Sequence, residues 1–199
     1  MATTAFPLMS AYLDSLPRGL DSYPAHVQKA GVFRQLLGTQ LKPHAAALPG
    51  VLRALVETPP PVGSWVPEVH TAAVFVAMRD VMPDDQAFQD HMYRMNRALL
   101  DGVLYGFLFR LITPRRILDG ARSRWTQLHR GITLEVLHGA QENHSSVCMR
   151  FPGGLIPEIL LESYCSAFRA ALEVAGGKNV KAQLVESTPV MARYSATWE

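Results

Sequence analysis

In the stretch Gly131-Ile132-Thr133-Leu134-Glu135-Val136-Leu137-His138, apolar Ile132, Leu134 and Val136 alternate with polar Thr133 and Glu135. Successive side chains of a strand point to opposite faces, so this period of two predicts a strand with one wet and one dry face. The polar run Gly139-Ala140-Gln141-Glu142-Asn143-His144 predicts a hairpin loop. Ser146 to Phe151 is then the returning strand, closed by Pro152-Gly153-Gly154. Downstream the spacing becomes helical. Ile159, Leu160, Tyr164, Phe168, Ala171 and Leu172 share one side of a helix expected from about Pro157 to Val174, and Gly176-Gly177 ends it. Two more strands are expected, Val180 to Glu186 and Val190 to Trp198. In the second, Ala192, Tyr194, Ala196 and Trp198 alternate with Arg193, Ser195 and Thr197. The last third therefore reads β-β-α-β-β.

Such a sheet has an apolar face that needs helical cover, and the chain upstream supplies helices. Residues 1–20 read as a loosely structured arm with an apolar stripe. A helix is expected from Asp21-Ser22-Tyr23-Pro24, because proline suits a first helical turn. A short helix over Val51 to Glu57 is ended by Pro59-Pro60-Pro61. Ser64 reads as the N-cap of a helix from Trp65 to about Met82, whose run Ala72 to Met78 is apolar all round and so predicts burial on most sides. Pro83-Asp84-Asp85 opens a further helix towards Ile112, with a break near Asp101-Gly102. Thr113-Pro114 opens the last one before Gly131. The expected fold class is α+β: an N-terminal helical bundle packed on a C-terminal four-stranded antiparallel β-β-α-β-β sheet. The arm is 1–20, and one domain spans 21–199, with helices over 21–130 and the sheet region over 131–199.

Composition excludes several classes. Of the 199 residues, 48% are hydrophobic and 18% charged, a little to the apolar side of ordinary globular chains. A net charge of +2 gives no footprint for nucleic acid. The longest apolar stretch, Ala98 to Ile112, carries Asp101 and Arg110 and is too short to span a bilayer. Cys148 and Cys165 supply neither a disulfide framework nor a zinc site. A cytoplasmic protein without a cofactor is expected.

The stretch Leu104-Tyr105 through Thr113-Pro114-Arg115-Arg116, then Arg124-Trp125 and His129-Arg130-Gly131, resembles a myxobacterial paralogous family of similar chain length and no assigned function. Leu20-Asp21-Ser22-Tyr23-Pro24 and Trp198 fit the same resemblance. The order of elements is similar to a wider superfamily of haem-based nitric-oxide sensors, 4-vinyl-reductase sensor domains and TRAPP-type trafficking adaptors. The resemblance implies a small molecule or acyl chain held between helices and sheet, or a surface used for assembly. Two departures stand out. The haem branch carries a Tyr-x-Ser-x-Arg clamp, whereas Arg193-Tyr194-Ser195-Ala196-Thr197 lacks the final arginine. The vinyl-reductase branch often uses clustered cysteines, which are missing here.

No histidine pair has the spacing of a helical zinc motif, and no glycine-rich phosphate loop or nucleophile elbow occurs. Asp84, Asp85 and their neighbours suit helix starts, where carboxylates meet the positive end of the dipole. Arg115, Arg116, Arg122, Arg124 and Arg130 would form two ridges on one continuous helix, fit for an anionic ligand or for solvent. The excess of apolar and aromatic residues in the helices, together with the role that the superfamily resemblance implies, suggests a non-enzymatic sensor or adaptor that binds a hydrophobic or aromatic small molecule in a helix–sheet pocket. Expected walls are Trp65, Phe75, Tyr105, Phe109 and Trp125, with Arg124 or His91 as anchors. The alternative is a protein–protein interaction module that forms a homodimer without a ligand.

Overall fold

The computed structural model describes residues 5–101 and 113–199. The first of them do not form a loose arm: residues 7–14 are a helix, α1 (Pro7–Asp14), with Phe6, Met9, Tyr12 and Leu16 buried. Two distant groups hold it. Asp80 accepts hydrogen bonds from the amides of Leu8 and Met9, both at 3.0 Å, which places a carboxylate at the helix's positive end. The Tyr12 hydroxyl donates to the Leu155 carbonyl at 2.8 Å.

The helix expected from Pro24 starts six residues later. Tyr23 takes a left-handed φ of 52°, and the chain then extends as β1 (Val27–Lys29) before α2 (Ala30–Leu37) begins. The cause is a partner out of local reach: Ala30 and Gly31 donate their amides to the carbonyls of Ser64 and Val62. A Cβ on Gly31 would lie 3.2 Å from that Val62 oxygen, so glycine suits the close approach. After α3 (Gly50–Glu57) comes a second correction. Ser64 caps nothing. Residues 65–67 are β2 (Trp65–Pro67), paired antiparallel with β1, and the buried helix α4 (Glu68–Asp80) follows. Helix α5 (Asp85–Asp101) is capped by Asp84, which accepts from the Ala87 amide at 2.7 Å. The expected break at Gly102 and the run to Ile112 lie outside the described residues.

The helix expected after Thr113 is two, α6 (Pro114–Asp119) and α7 (Ala121–Leu128), hinged at Gly120. The two arginine ridges are therefore interrupted, and Arg124 turns back to donate to the Ile117 carbonyl at 3.0 Å. A two-residue strand, β3 (His129–Arg130), completes a small sheet in the order β2-β1-β3. The C-terminal third follows the alternation: β4 (Thr133–His138), β5 (His144–Arg150), α8 (Glu158–Val174), β6 (Lys181–Thr188) and β7 (Met191–Thr197). These strands form an antiparallel sheet in the order β4-β5-β7-β6, with a bulge between Leu184 and Glu186. The architecture is α+β.

Helix α8 lies on the sheet and against α5, while α4 has α1, α3, α5 and α8 around it, so Val69 and Ala72 to Met78 are all buried. Tyr194 of β7 is fully buried and its hydroxyl donates to the Leu161 carbonyl of α8 at 3.0 Å. Burial raises its pKa far above the ordinary tyrosine value, so this donor persists at any ordinary pH. On the outer side, Glu173 of α8 pairs with Arg97 of α5 at 2.9 Å and with Arg169 at 2.8 Å.

Leu172 is completely buried in α8, whereas Leu137 of β4 is 62% exposed. Leu172→Ala is expected to cost about 2–5 kcal/mol of unfolding free energy, and Leu137→Ala no more than about 0.5 kcal/mol, in urea denaturation followed by circular dichroism.

Candidate functional site

Between α4, α5, α7 and α8 lies a cavity of about 200 Å³. Its walls are mostly apolar: Phe75 of α4, Met92 and Leu99 of α5, Trp125 of α7, and Leu160 and Phe168 of α8. A dry space of roughly 150 Å³ accommodates a benzene ring, so this volume suits a single-ring molecule. Small side chains make the room, since Ala72, Ser163, Ala167 and Ala171 occupy wall positions where larger residues would fill it.

One end of the cavity is polar. The register of the small sheet sets Val66, Gln28 and His129 in a row across three strands, and all three are buried. Glu68 follows directly as the first residue of α4. His129 Nδ1 lies 2.6 Å from Glu68 Oε1, with both residues only 6% exposed. Trp125 stacks on this imidazole, the rings 3.9 Å apart and 12° from parallel, and its own Nε1 donates to the Ile132 carbonyl at 2.9 Å. Among the described residues, neither His129 Nε2 nor the Gln28 side-chain amide has a hydrogen-bond partner, although both residues line the cavity. Tyr164 of α8 also lines the cavity, with its ring against Trp125. Burial, and then the Glu68 charge, push its pKa well above the usual tyrosine range, so it stays a hydrogen-bond donor.

Of the residues singled out by sequence, Phe75 and Trp125 line this cavity. Tyr105 and Phe109 lie outside the described residues. Trp65 is on the small sheet, its ring between Lys29 Nζ and Arg130 Cζ, each 4.0 Å from the centroid, and is not among the described lining residues. Arg124, bonded to Ile117, is not among them either. His91 is buried against the end of α2, where Nε2 donates to the Leu36 carbonyl at 2.9 Å and Nδ1 has no partner. Nothing in the sequence around Gln28, Glu68 and His129 marks them as one site, because no local spacing links positions that far apart. Histidine beside an intra-strand pattern and glutamate in a first helical turn each have an ordinary local explanation.

A second constellation has the composition of a hydrolase triad without its chemistry. His138 Nδ1 lies 2.9 Å from Ser145 Oγ, and its Nε2 lies 2.8 Å from Asp119. Ser145 is completely buried in β5, so no substrate carbonyl can reach it. The chain of bonds ties the α6–α7 joint to the sheet.

Two measurements follow from the buried histidines. Removing one partner of a buried hydrogen-bonded pair strands the other, so His129→Leu, which leaves the Glu68 carboxyl buried without its partner, is expected to cost about 3–5 kcal/mol, and Glu68→Leu added to it recovers most of that loss. Urea denaturation of the single and double variants gives the comparison. Burial, with the Arg94 charge in support, holds the His91 pKa below the ordinary histidine value. The unfolded chain then binds the proton more readily, so this residue's contribution to stability is lost as pH falls through about 6.5. His91→Gln, which keeps a donor for Leu36, is expected to reduce the slope of stability against pH in that window, His70 retaining part of it through its own burial.

No family model and no curated protein match this chain. Among solved structures it is similar to a mutant form of T. tengcongensis H-NOX, at a TM-score of 0.54 and 8% identity, over 86% of this chain and 97% of that one. The likeness lies in the fold: helices followed by a sheet with a helix laid across it. The haem carried by nitric-oxide sensors of this fold does not suit the cavity described here. A volume of about 200 Å³ falls below the roughly 300–1,000 Å³ of pockets for drug-sized ligands. Among the described lining residues there is also no lysine or arginine to pair with propionates. The chain shares a distant H-NOX-like fold.

Proposed function

We propose that this chain is a non-enzymatic sensor or adaptor domain that binds a small apolar or aromatic molecule in the cavity between α4, α5, α7 and α8. The observation that carries the reading is the cavity itself: mostly apolar walls around room for one ring, with the polar residues Gln28, Glu68 and His129 at one end. Pockets that recognise small molecules have this composition, apolar surface with a few placed polar groups. Phe75 and Trp125 serve as walls, with Met92, Leu160 and Phe168. The H-NOX-like fold supports the reading as an analogy, because folds host unrelated functions. A homodimer built on exposed apolar surface has less support. Among the described residues the exposed large apolar side chains are Leu8, Val51, Val62, Leu137, Val185 and Val190, and apart from Val185 and Val190 of the β6–β7 hairpin each belongs to a different part of the chain.

Cumene, a single ring with a compact apolar tail, is the probe. It is expected to raise the melting temperature of the full chain and to shift the tryptophan indole resonances in NMR, since Trp125 is a wall. Ala167→Phe fills the space from α8 and is expected to weaken cumene at least about tenfold without lowering the melting temperature, because it occupies a void rather than a packed site. An unchanged melting temperature and unchanged spectra at saturating cumene would sink the proposal.

A further inference from the structure

The shape of the cavity restricts its occupant more than its volume does. Along α8 the wall is a single stripe at helical spacing, Leu160, Tyr164, Ala167, Phe168 and Ala171. At the rise of an α-helix that stripe runs about 16 Å. On α5, which packs along α8, the lining extends from Met92 to Leu100, about 12 Å by the same measure. A round void of about 200 Å³ would be only about 7 Å across, so the space is drawn out along the two helices. Its ends differ. Tyr164 has its ring against Trp125, which in turn stacks on His129, so the end beside the small sheet is aromatic. About 10 Å further along α8, Ala171 packs with Leu100 on the apolar cluster of Ile117, Val174 and Ala175. Ala167 lies on the stripe between them.

We infer that the cavity selects an elongated molecule: one aromatic ring against Trp125 and Tyr164, carrying a short unbranched alkyl tail that runs along α8 past Ala167 to Ala171. This inference rests on the reading of the cavity as a ligand site and adds the ligand's shape and orientation. The ring belongs at the aromatic end, where a third ring extends the tilted pair of Trp125 and Tyr164. The tail belongs where alanines leave room for it, and the volume limits it to a few carbons, because a ring alone takes roughly 150 Å³. A branched tail puts its bulk sideways into the packed side chains of α5 and α8, which yield only at the cost of strain.

The isomers n-butylbenzene and tert-butylbenzene contain the same atoms and differ only in the shape of the tail. Isothermal titration of the full chain is expected to give the straight isomer at least about tenfold tighter. From toluene to n-butylbenzene, affinity is expected to rise about fourfold with each added carbon, the effect of burying one more methylene. Ala171→Leu is expected to flatten that rise, leaving toluene within about twofold and weakening n-butylbenzene at least about tenfold. Ala171→Val, a smaller intrusion, is expected to flatten it in part. The indole resonance of Trp125, assigned from Trp125→Phe, is expected to move alike with toluene and n-butylbenzene, since the ring sits against it in both. Equal affinity for the two isomers, or a rise that both Ala171 variants leave untouched, overturns the shape inference and leaves the cavity as a ligand site. Toluene weakened as much as n-butylbenzene by Ala171→Leu overturns the orientation, and the inference with it. Binding of none of the three hydrocarbons overturns the ligand site as well.

Discussion

The pairing of three short strands from distant parts of the chain is the constraint on which the helical half depends. Val27–Lys29, Trp65–Pro67 and His129–Arg130 meet as one antiparallel sheet, although isolated ribbons of this length are marginal in water. Its stability comes from its two faces. On one, Val66, Gln28 and His129 are buried. On the other, Lys29 and Arg130 lie over the Trp65 ring, and such contacts contribute about 0.5–1 kcal/mol each at exposed sites. Three helices take their positions from it: α2 starts where β1 ends, α4 starts where β2 ends, and α7 runs into β3. Further bonds fasten the junctions, from the Glu68 amide to the His26 carbonyl and from the Ala30 amide to that of Ser64.

The cavity follows from that geometry. Helices α4 and α7 leave the small sheet on one side, while α5 and α8 close the other, and small residues at Ala72, Ala167 and Ala171 keep the space between them open.

The larger sheet stands apart from this. Its inner face is packed by Val147, Met149, Ala192 and Tyr194 beneath α8, with the Tyr194 hydroxyl bonded to the helix backbone. The outer face carries Arg193, Glu186 and other polar side chains, with Arg193 and Glu186 paired at 3.3 Å. This part of the molecule acts as a platform: it holds α8, and α8 presents Leu160, Tyr164, Ala167 and Phe168 to the cavity.

The alternation of Leu134 and Val136 with Glu135, the six-residue helical stripe from Ile159 to Leu172, and the apolar run Ala72 to Met78 were enough by themselves to determine the β-β-α-β-β order, the covering helix and the buried central helix. Those features repeat every two or 3.6 residues, and local sequence carries such periods directly. Two of the lining residues, Phe75 and Trp125, were also legible, as large aromatics in helices with an apolar side. Tertiary structure alone decided the rest. A strand of two or three residues has no period to read, so β1, β2 and β3 looked like helix starts and a helix end until their distant partners were in place. The polar end of the cavity was hidden for the same reason. Gln28, Glu68 and His129 are ordinary residues in their own neighbourhoods, and only the hydrogen-bonded register of three separate segments brings them within reach of one another.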